Sequence, residues 1–262
     1  SKKAKIIFQA DGSPYSEEFD DIYFDTESGF LQSEQVFIQG NQIKEQLLAS
    51  SSTFTIGETG FGTGLNFLLT LKLYQELARQ HNIPKLHFIS TEKYPLTKEQ
   101  LSTSLATFGE LTEQVQLLLA QYPEQVTNDI TIELLDGNIK LTIYIGDAAQ
   151  RLSEIKLPRK SPGLVNAWYL DGFSPAKNPE MWSNELFQQL ARLSISQATL
   201  STFTVAGFIR RGLQQVGFRV EKTGYQGKKK EILTGKYQQN KLNGKGYQLR
   251  PAINKPQHVS II

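Results

Sequence analysis

Two rhythms of apolar and polar positions take turns along the chain. Short apolar runs of strand length are separated by longer segments in which apolar residues recur every third or fourth position. This pattern predicts strands over 53–57, 85–91, 130–135, 140–145, 165–170, 198–204, 218–223 and 231–234. Between them it predicts helices over 65–80, 97–106, 112–121, 184–193 and 207–216. Residues 1–50 are less regular, with strand-like pieces at 5–9 and 22–24, a turn at Asp11-Gly12-Ser13-Pro14 and a helix over 42–49. Strands that alternate with helices imply an α/β fold built on a parallel sheet. Two places break the alternation. Asp136-Gly137-Asn138 between two strand runs is a hairpin signal. The last two strands are joined by a short Gly/Lys-rich turn with no helix, which predicts an antiparallel pair closing the sheet.

A mostly parallel sheet with an antiparallel last strand resembles the Rossmann-like sheet of S-adenosylmethionine-dependent methyltransferases. That likeness is one of fold alone and needs a site to support it. The expected organisation is an N-terminal extension (1–50) packed on a main domain (51–236), followed by a basic linker (237–262).

Composition narrows the chemistry. The chain has 262 residues, 39% hydrophobic and 21% charged, which suits a globular protein with a sizeable core. It contains no Cys, which excludes thiolate nucleophiles and Cys-ligated metals, and its three His (His81, His87, His258) do not cluster, so no metal is expected. No apolar run reaches the roughly 18–20 residues that cross a bilayer, so no membrane partner and a cytoplasmic setting are expected. Net charge is only +2, but residues 201–262 hold twelve Lys/Arg against two Glu, leaving the first 200 residues at −8. A basic end on an acidic body points either to a polyanionic partner or to a solvated tail.

Four segments carry candidate chemistry. Thr53–Phe67 reads TFTIGETGFGTGLNF, a strand running through Gly60-x-Gly62-x-Gly64 into a helix. Glycines allow tight turns and close approach of backbone to a ligand, and the helix start offers free N–H groups. The spacing is neither G-x-G-x-x-G nor a P-loop. Glu58 beside it would repel a pyrophosphate and suits a cationic ligand such as a sulfonium. Glu92, at the end of the next strand, is placed to accept from ribose hydroxyls. Asp147 either accepts from an adenine amine or caps the following helix. Finally, WYLDGFSPAKNPEMW (168–182) delivers Asp171 to a strand's carboxyl end and continues in an irregular Pro/Gly loop. Phe173 is a candidate to stack on a base and Lys177 to meet a phosphate, while Met181 and Trp182 read as core.

Together with Phe19-Asp20-Asp21-Ile22-Tyr23-Phe24, with 88–96 (FISTEKYPL) and with 202–213 (TFTVAGFIRRGL), these segments closely resemble the methyltransferase half of the MnmC family, bifunctional bacterial tRNA-modifying enzymes. The likeness runs from about Phe8 to Gly235. It implies methyl transfer from S-adenosylmethionine to the amine of 5-aminomethyl(-2-thio)uridine at the tRNA wobble position. It also implies an FAD-dependent C-terminal half in the full-length chain, absent here; His258-Val259-Ser260-Ile261-Ile262 looks like that domain's opening strand. A monomer is expected. On this resemblance the donor site comprises Glu58, Gly60, Phe61, Gly62, Thr63, Gly64, Asn66, Phe67, Glu92, Lys93, Asp147, Ala148 and Asp171. Asp171 is also the catalytic candidate. Phe173 and Lys177 are expected to contact substrate, with Arg210, Arg211, Lys228, Lys229 and Lys230 meeting anticodon-stem phosphates.

Asp171 has a physical task in this reading. A primary alkyl amine is protonated near pH 7 (Lys, the nearest reference, titrates at ~10.4), and ammonium has no lone pair. A carboxylate that orients the amine and assists proton loss supplies what is missing. Rival readings are a nicotinamide-dependent oxidoreductase, an aminopropyltransferase or other small-amine methyltransferase of the same fold, and a non-catalytic tRNA-binding module.

Overall fold

The computed structural model describes residues 4–157, 159, 161–224 and 231–238. The chain opens with a small antiparallel sheet of β1 (Ile6–Phe8), β2 (Pro14–Ser16) and β3 (Asp21–Ile22). Helix α1 (Gly29–Ser33) runs into a π-helical stretch (Glu34–Gln39) and then α2 (Ile43–Ala49). The sequence pattern predicted only the last of these helices. Val36-Phe37-Ile38 are consecutive and all buried, while the apolar Leu31 is exposed, so apolar positions do not recur there at a helical spacing. These residues join one buried cluster with α3 and the strands described next, so residues 24–47 share the main core.

The large sheet contains β4 (Phe54–Thr59), β5 (Leu86–Glu92), β6 (Ile130–Leu134), β7 (Ile139–Ile145), β8 (Val165–Leu170), β9 (Ser194–Thr202), β10 (Phe218–Gly224) and β11 (Glu231–Tyr237). The helices between them are α3 (Leu65–Ala78), α4 (Lys98–Leu105), α5 (Thr112–Gln121), α6 (Ala148–Glu154), α7 (Asn184–Leu193) and α8 (Gly207–Gln215). Strand order is β10-β11-β9-β8-β4-β5-β7-β6. The neighbours from β9 through β7 are all parallel, and β11 is antiparallel to both β9 and β10. The last strand therefore inserts between β10 and β9 rather than forming the edge. The predicted hairpin forms β6 and β7, with Leu135, Asp136 and Gly137 at positive φ, and adds an antiparallel strand at the opposite edge.

Strand β9 starts four residues before the predicted 198. Gln197 adopts φ 65°, and a bulge shifts the register where β9 joins β8, so apolar alternation begins only after the bulge. Helix α7 shows why the helices form where they do. Ser183 caps its first turn by accepting from Leu186 N at 3.1 Å, and Leu186, Phe187, Leu190 and Leu193 make its buried stripe. Helices α6, α7 and α8 cover one sheet face around Trp168, and α3 covers the other around Phe88. Trp168 sits against β4 so closely that a Cβ on Gly57 would lie 2.3 Å from its ring.

The chain runs outward from β4 through β5 to β7, then returns to build β8 and β9 on the other side. The order reverses between β4 and β8, and a cleft opens above the carboxyl ends at such a point. Among the described residues no helix is long and apolar enough to cross a membrane, and no group of three or more His, Asp or Glu is placed to hold a metal ion.

Candidate active site

The cleft encloses about 890 Å³, open solvent at its mouth included. Its floor is the glycine loop after β4. Gly60, Gly62 and Gly64 all have positive φ (82°, 53° and 77°), the region that favours glycine. Gly60 N and Phe61 N both donate to Thr91 O, tying the loop to β5. A Cβ on Gly64 would lie 2.8 Å from the Phe61 ring, so the loop closes on its own aromatic side chain.

Glu92 grips the same loop from β5. Its Oε2 accepts from Gly62 N and its Oε1 from Tyr94 N, each at 2.8 Å. Burial pushes its carboxyl up, and those backbone donors hold it back. Asp147 caps α6 by accepting from Gln150 N at 3.2 Å, and it also lines the cleft. Ala148 lines the cleft beside it, and Lys93 lies at the rim with a 3.7 Å ion pair to Glu180.

Asp171 emerges just past β8 at the cleft wall. Gly172 N donates to its Oδ1 and Asn66 Nδ2 to its Oδ2, both at 2.7 Å, while Thr59 Oγ1 donates to its main-chain oxygen. Burial pushes its carboxyl up to about 6, against the lowering effect of the Gly172 and Asn66 hydrogen bonds. That places it where a carboxyl exchanges protons near neutral pH. The same Asn66 amide donates to Glu58 Oε1 at 3.0 Å, and Ser90 Oγ donates to Glu58 Oε2 at 2.7 Å. Asn66 Oδ1 and Thr91 Oγ1 are buried, belong to cleft-lining residues and have no hydrogen-bond partner among the described residues.

Three expected donor residues do not line the cleft: Glu58, Gly64 and Phe67. Glu58 is buried under the cleft and does not line it. Its two carboxyl oxygens are occupied by Asn66 and Ser90 and do not face the cleft, and burial raises its carboxyl well above the usual range. Phe67 points into the core, its ring edge-on to Phe88 at 5.3 Å. Gly64 starts α3 without lining the cleft, whereas Phe61, Thr63 and Asn66 do line it.

The lid comes from the N-terminal extension. Phe19 stacks on Phe173 at 4.5 Å, and Tyr23 meets the same ring at 5.1 Å. Ser174 N donates to Asp21 Oδ2 at 3.1 Å, and Lys177 pairs with Asp20. Lys177 is therefore a tie between two loops, outside the cleft, with its charge already matched. Phe173 lines the cleft as expected, and so do Phe19, Ile22, Tyr23 and Phe24, which sequence reasoning left unassigned. Their only signal was the Phe19–Phe24 motif itself. Trp182 is core as expected, but Met181 lines the cleft, accepting from Asn178 Nδ2 through its sulfur. Arg210 and Arg211 are exposed on α8, away from the cleft lining, and Lys228, Lys229 and Lys230 lie outside the described residues.

Residues 109–238 match a family described as S-adenosyl-L-methionine-dependent methyltransferase. The chain is 46% identical over 234 residues to the tRNA 5-methylaminomethyl-2-thiouridine biosynthesis bifunctional protein MnmC of Aeromonas hydrophila, covering 88% of this chain and 35% of that protein. It is 40% identical over 262 residues to the protein of the same name from Pseudomonas aeruginosa, covering 99% and 39%. The chain thus spans 35–39% of the length of these curated relatives. Among solved structures, MnmC2 of Aquifex aeolicus superimposes with a TM-score of 0.69 at 22% identity, covering 90% of this chain and 70% of that one, a likeness of fold.

Proposed function

We propose that the chain is an S-adenosyl-L-methionine-dependent methyltransferase and that it methylates the amine of 5-aminomethyl(-2-thio)uridine at the wobble position of tRNA. The observation that carries this reading is Asp171, a carboxyl raised to about 6 at the wall of a cleft floored by the glycine loop. The modified uridine is suggested by the relatives, which are tRNA 5-methylaminomethyl-2-thiouridine biosynthesis proteins.

The cleft suits the methyl donor. The loop of Gly60 and Gly62 lets backbone approach it, Glu92 and Asp147 offer carboxylates, and Asn66 Oδ1 and Thr91 Oγ1 are polar atoms that need partners. These residues would hold S-adenosylmethionine, which when bound supplies an electrophilic methyl on sulfur. The chain's own part is to prepare the nucleophile. At pH 7 the Asp171 carboxylate is mostly ionised and accepts a hydrogen bond from the substrate ammonium. It thereby fixes the direction of the nitrogen and takes or passes on the proton that must leave before the lone pair is free. The aromatic wall of Phe19, Tyr23 and Phe173 excludes water from that contact and offers a flat surface to a uracil ring. Residues with roles in donor binding are Gly60, Phe61, Gly62, Thr63, Asn66, Glu92, Lys93, Asp147 and Ala148; the exposed Arg210 and Arg211 would meet phosphates.

The remaining length of the relatives has room for the FAD-dependent activity that the family resemblance implies, so the natural protein is read as carrying both. The test is a synthetic stem–loop RNA with 5-aminomethyl-2-thiouridine in its loop, incubated with the chain and S-adenosylmethionine. Mass spectrometry should find one added methyl on that nucleoside and none on an RNA carrying plain uridine there. Methylation of spermidine in place of the RNA would favour the small-amine reading.

A further inference from the structure

Asp171 stands at a boundary. On one side lies the cleft above β4, β5 and β7. On the other lies β9, which none of the roles above uses. Strand β8 ends at Leu170 and β9 at Thr202, with Trp168 paired to Leu200 and Tyr169 to Ser201. Asp171 and Phe203 therefore leave adjacent parallel strands side by side. They also share a sheet face. Phe37 lies 5.4 Å from the Tyr169 ring and 5.1 Å from the Phe203 ring, and Asp171 has the parity of Tyr169.

Phe203 does not line the cleft, yet it is 39% exposed. Edge-to-face contact with the fully buried Phe37 anchors the ring while the rest of it meets solvent. Of the three exposed Phe among the described residues, Phe203 and Phe208 lie within five positions of each other, and Phe208 opens α8. Arg210 and Arg211 follow, both exposed and neither in an ion pair among the described residues. Arg211 folds back over the helix start, its Nη1 2.9 Å from where a Cβ on Gly207 would sit. A fixed, solvent-facing aromatic ring followed a few residues on by unpaired guanidinium groups is chemistry that suits unstacked bases and their phosphates.

We propose that Phe203 is a stacking shelf for the base next to the modified nucleotide in a single-stranded RNA loop, with Arg210 and Arg211 meeting the backbone beyond it. The inference rests on the RNA reading above. A base whose amine reaches Asp171 stays tethered to its neighbours, and one neighbour must pass over the rim. The donor side of Asp171 is filled by the cleft and its lid, which leaves the β9 side.

The test uses three stem–loop RNAs with the aminomethylated uridine in the loop: one intact, one abasic on the 5′ side of the target and one abasic on the 3′ side. Phe203→Ala should lower kcat/KM on the intact RNA by about 5- to 150-fold, the loss of one base–aromatic stack. Wild type should lose a similar factor on one abasic RNA, and Phe203→Ala should lose nothing further there. Phe203→Tyr should restore activity on the intact RNA, and donor affinity should stay unchanged in both variants. Undiminished activity of Phe203→Ala on the intact RNA overturns the inference. So does an equal loss on all three RNAs, which would mark a structural role. A wild-type chain that methylates none of the RNAs removes the functional reading and this inference with it.

Discussion

Replacing Asn66 with Ala should move the acid limb of the methyl-transfer pH profile upward. Asn66 Nδ2 is 2.7 Å from Asp171 Oδ2 and donates to a group that must be ionised to receive the substrate ammonium. A hydrogen bond to a charged group contributes about 1.5–3 kcal/mol, or about 1–2 pKa units. Losing a donor to the carboxylate raises the carboxyl, so its titration should move from about 6 to about 7–8. At pH 7 the ionised fraction then drops from about nine-tenths to between about a half and a tenth. Activity at pH 7 should fall about 2- to 10-fold and recover near pH 9. Glu58, left with Ser90 alone, loses one of the donors that lower its carboxyl, so it shifts in the same upward direction. Initial rates with labelled S-adenosylmethionine across pH 5–9 measure the limb directly. A midpoint that stays put, or moves down, refutes the role given to Asn66 and the placement of Asp171's proton.

Asp171→Asn should lower turnover by about 100-fold or more while donor affinity, read by calorimetry, stays within a few-fold. The same variant reports on stability. Because Asp171's carboxyl is raised in the folded chain, its contribution to stability is full below about pH 4 and is lost as pH rises through about 6, by about 3 kcal/mol at most. Denaturant melts should therefore show the variant gaining on wild type between pH 4 and pH 8, and a pH-independent difference would contradict the shift. Glu92→Ala should weaken donor binding by about 10- to 100-fold, since Gly62 N and Tyr94 N lose a charged acceptor; unchanged affinity would remove Glu92 from the site. Gly57→Ala should destabilise the fold by about 1–3 kcal/mol, because the new methyl meets the Trp168 ring; an unchanged melting curve would contradict that packing.

What could be read from the chain itself follows the physics of local signals. The glycine loop, Asp171 at a strand's end and the Asp136-Gly137-Asn138 hairpin are local, because backbone sterics and strand period decide them within a few residues. Glu58 and Phe67 were placed with the donor because they sit in the loop's sequence. The direction of a side chain from its strand or helix decides otherwise and points both into the protein. Residues 29–39 hide their helices because three consecutive apolar residues, Val36-Phe37-Ile38, are buried while the apolar Leu31 is exposed, which blurs the helical period. The lid is a tertiary fact. Phe19 and Phe173 meet across 154 positions, and the Asp20–Lys177 and Asp21–Ser174 contacts that bring them together have no local pattern. The basic end was visible as charge, but seven of its twelve Lys/Arg lie outside the described residues.

The central claim is that this chain methylates the amine of a modified wobble uridine. The most direct measurement offers labelled S-adenosylmethionine and two tRNA pools, one from cells lacking the complete modification enzyme and one fully modified, and identifies the labelled nucleoside. Label should enter only the first pool and be recovered as the 5-methylaminomethyl nucleoside. Equal label in both pools, or label in any other nucleoside, would contradict the account.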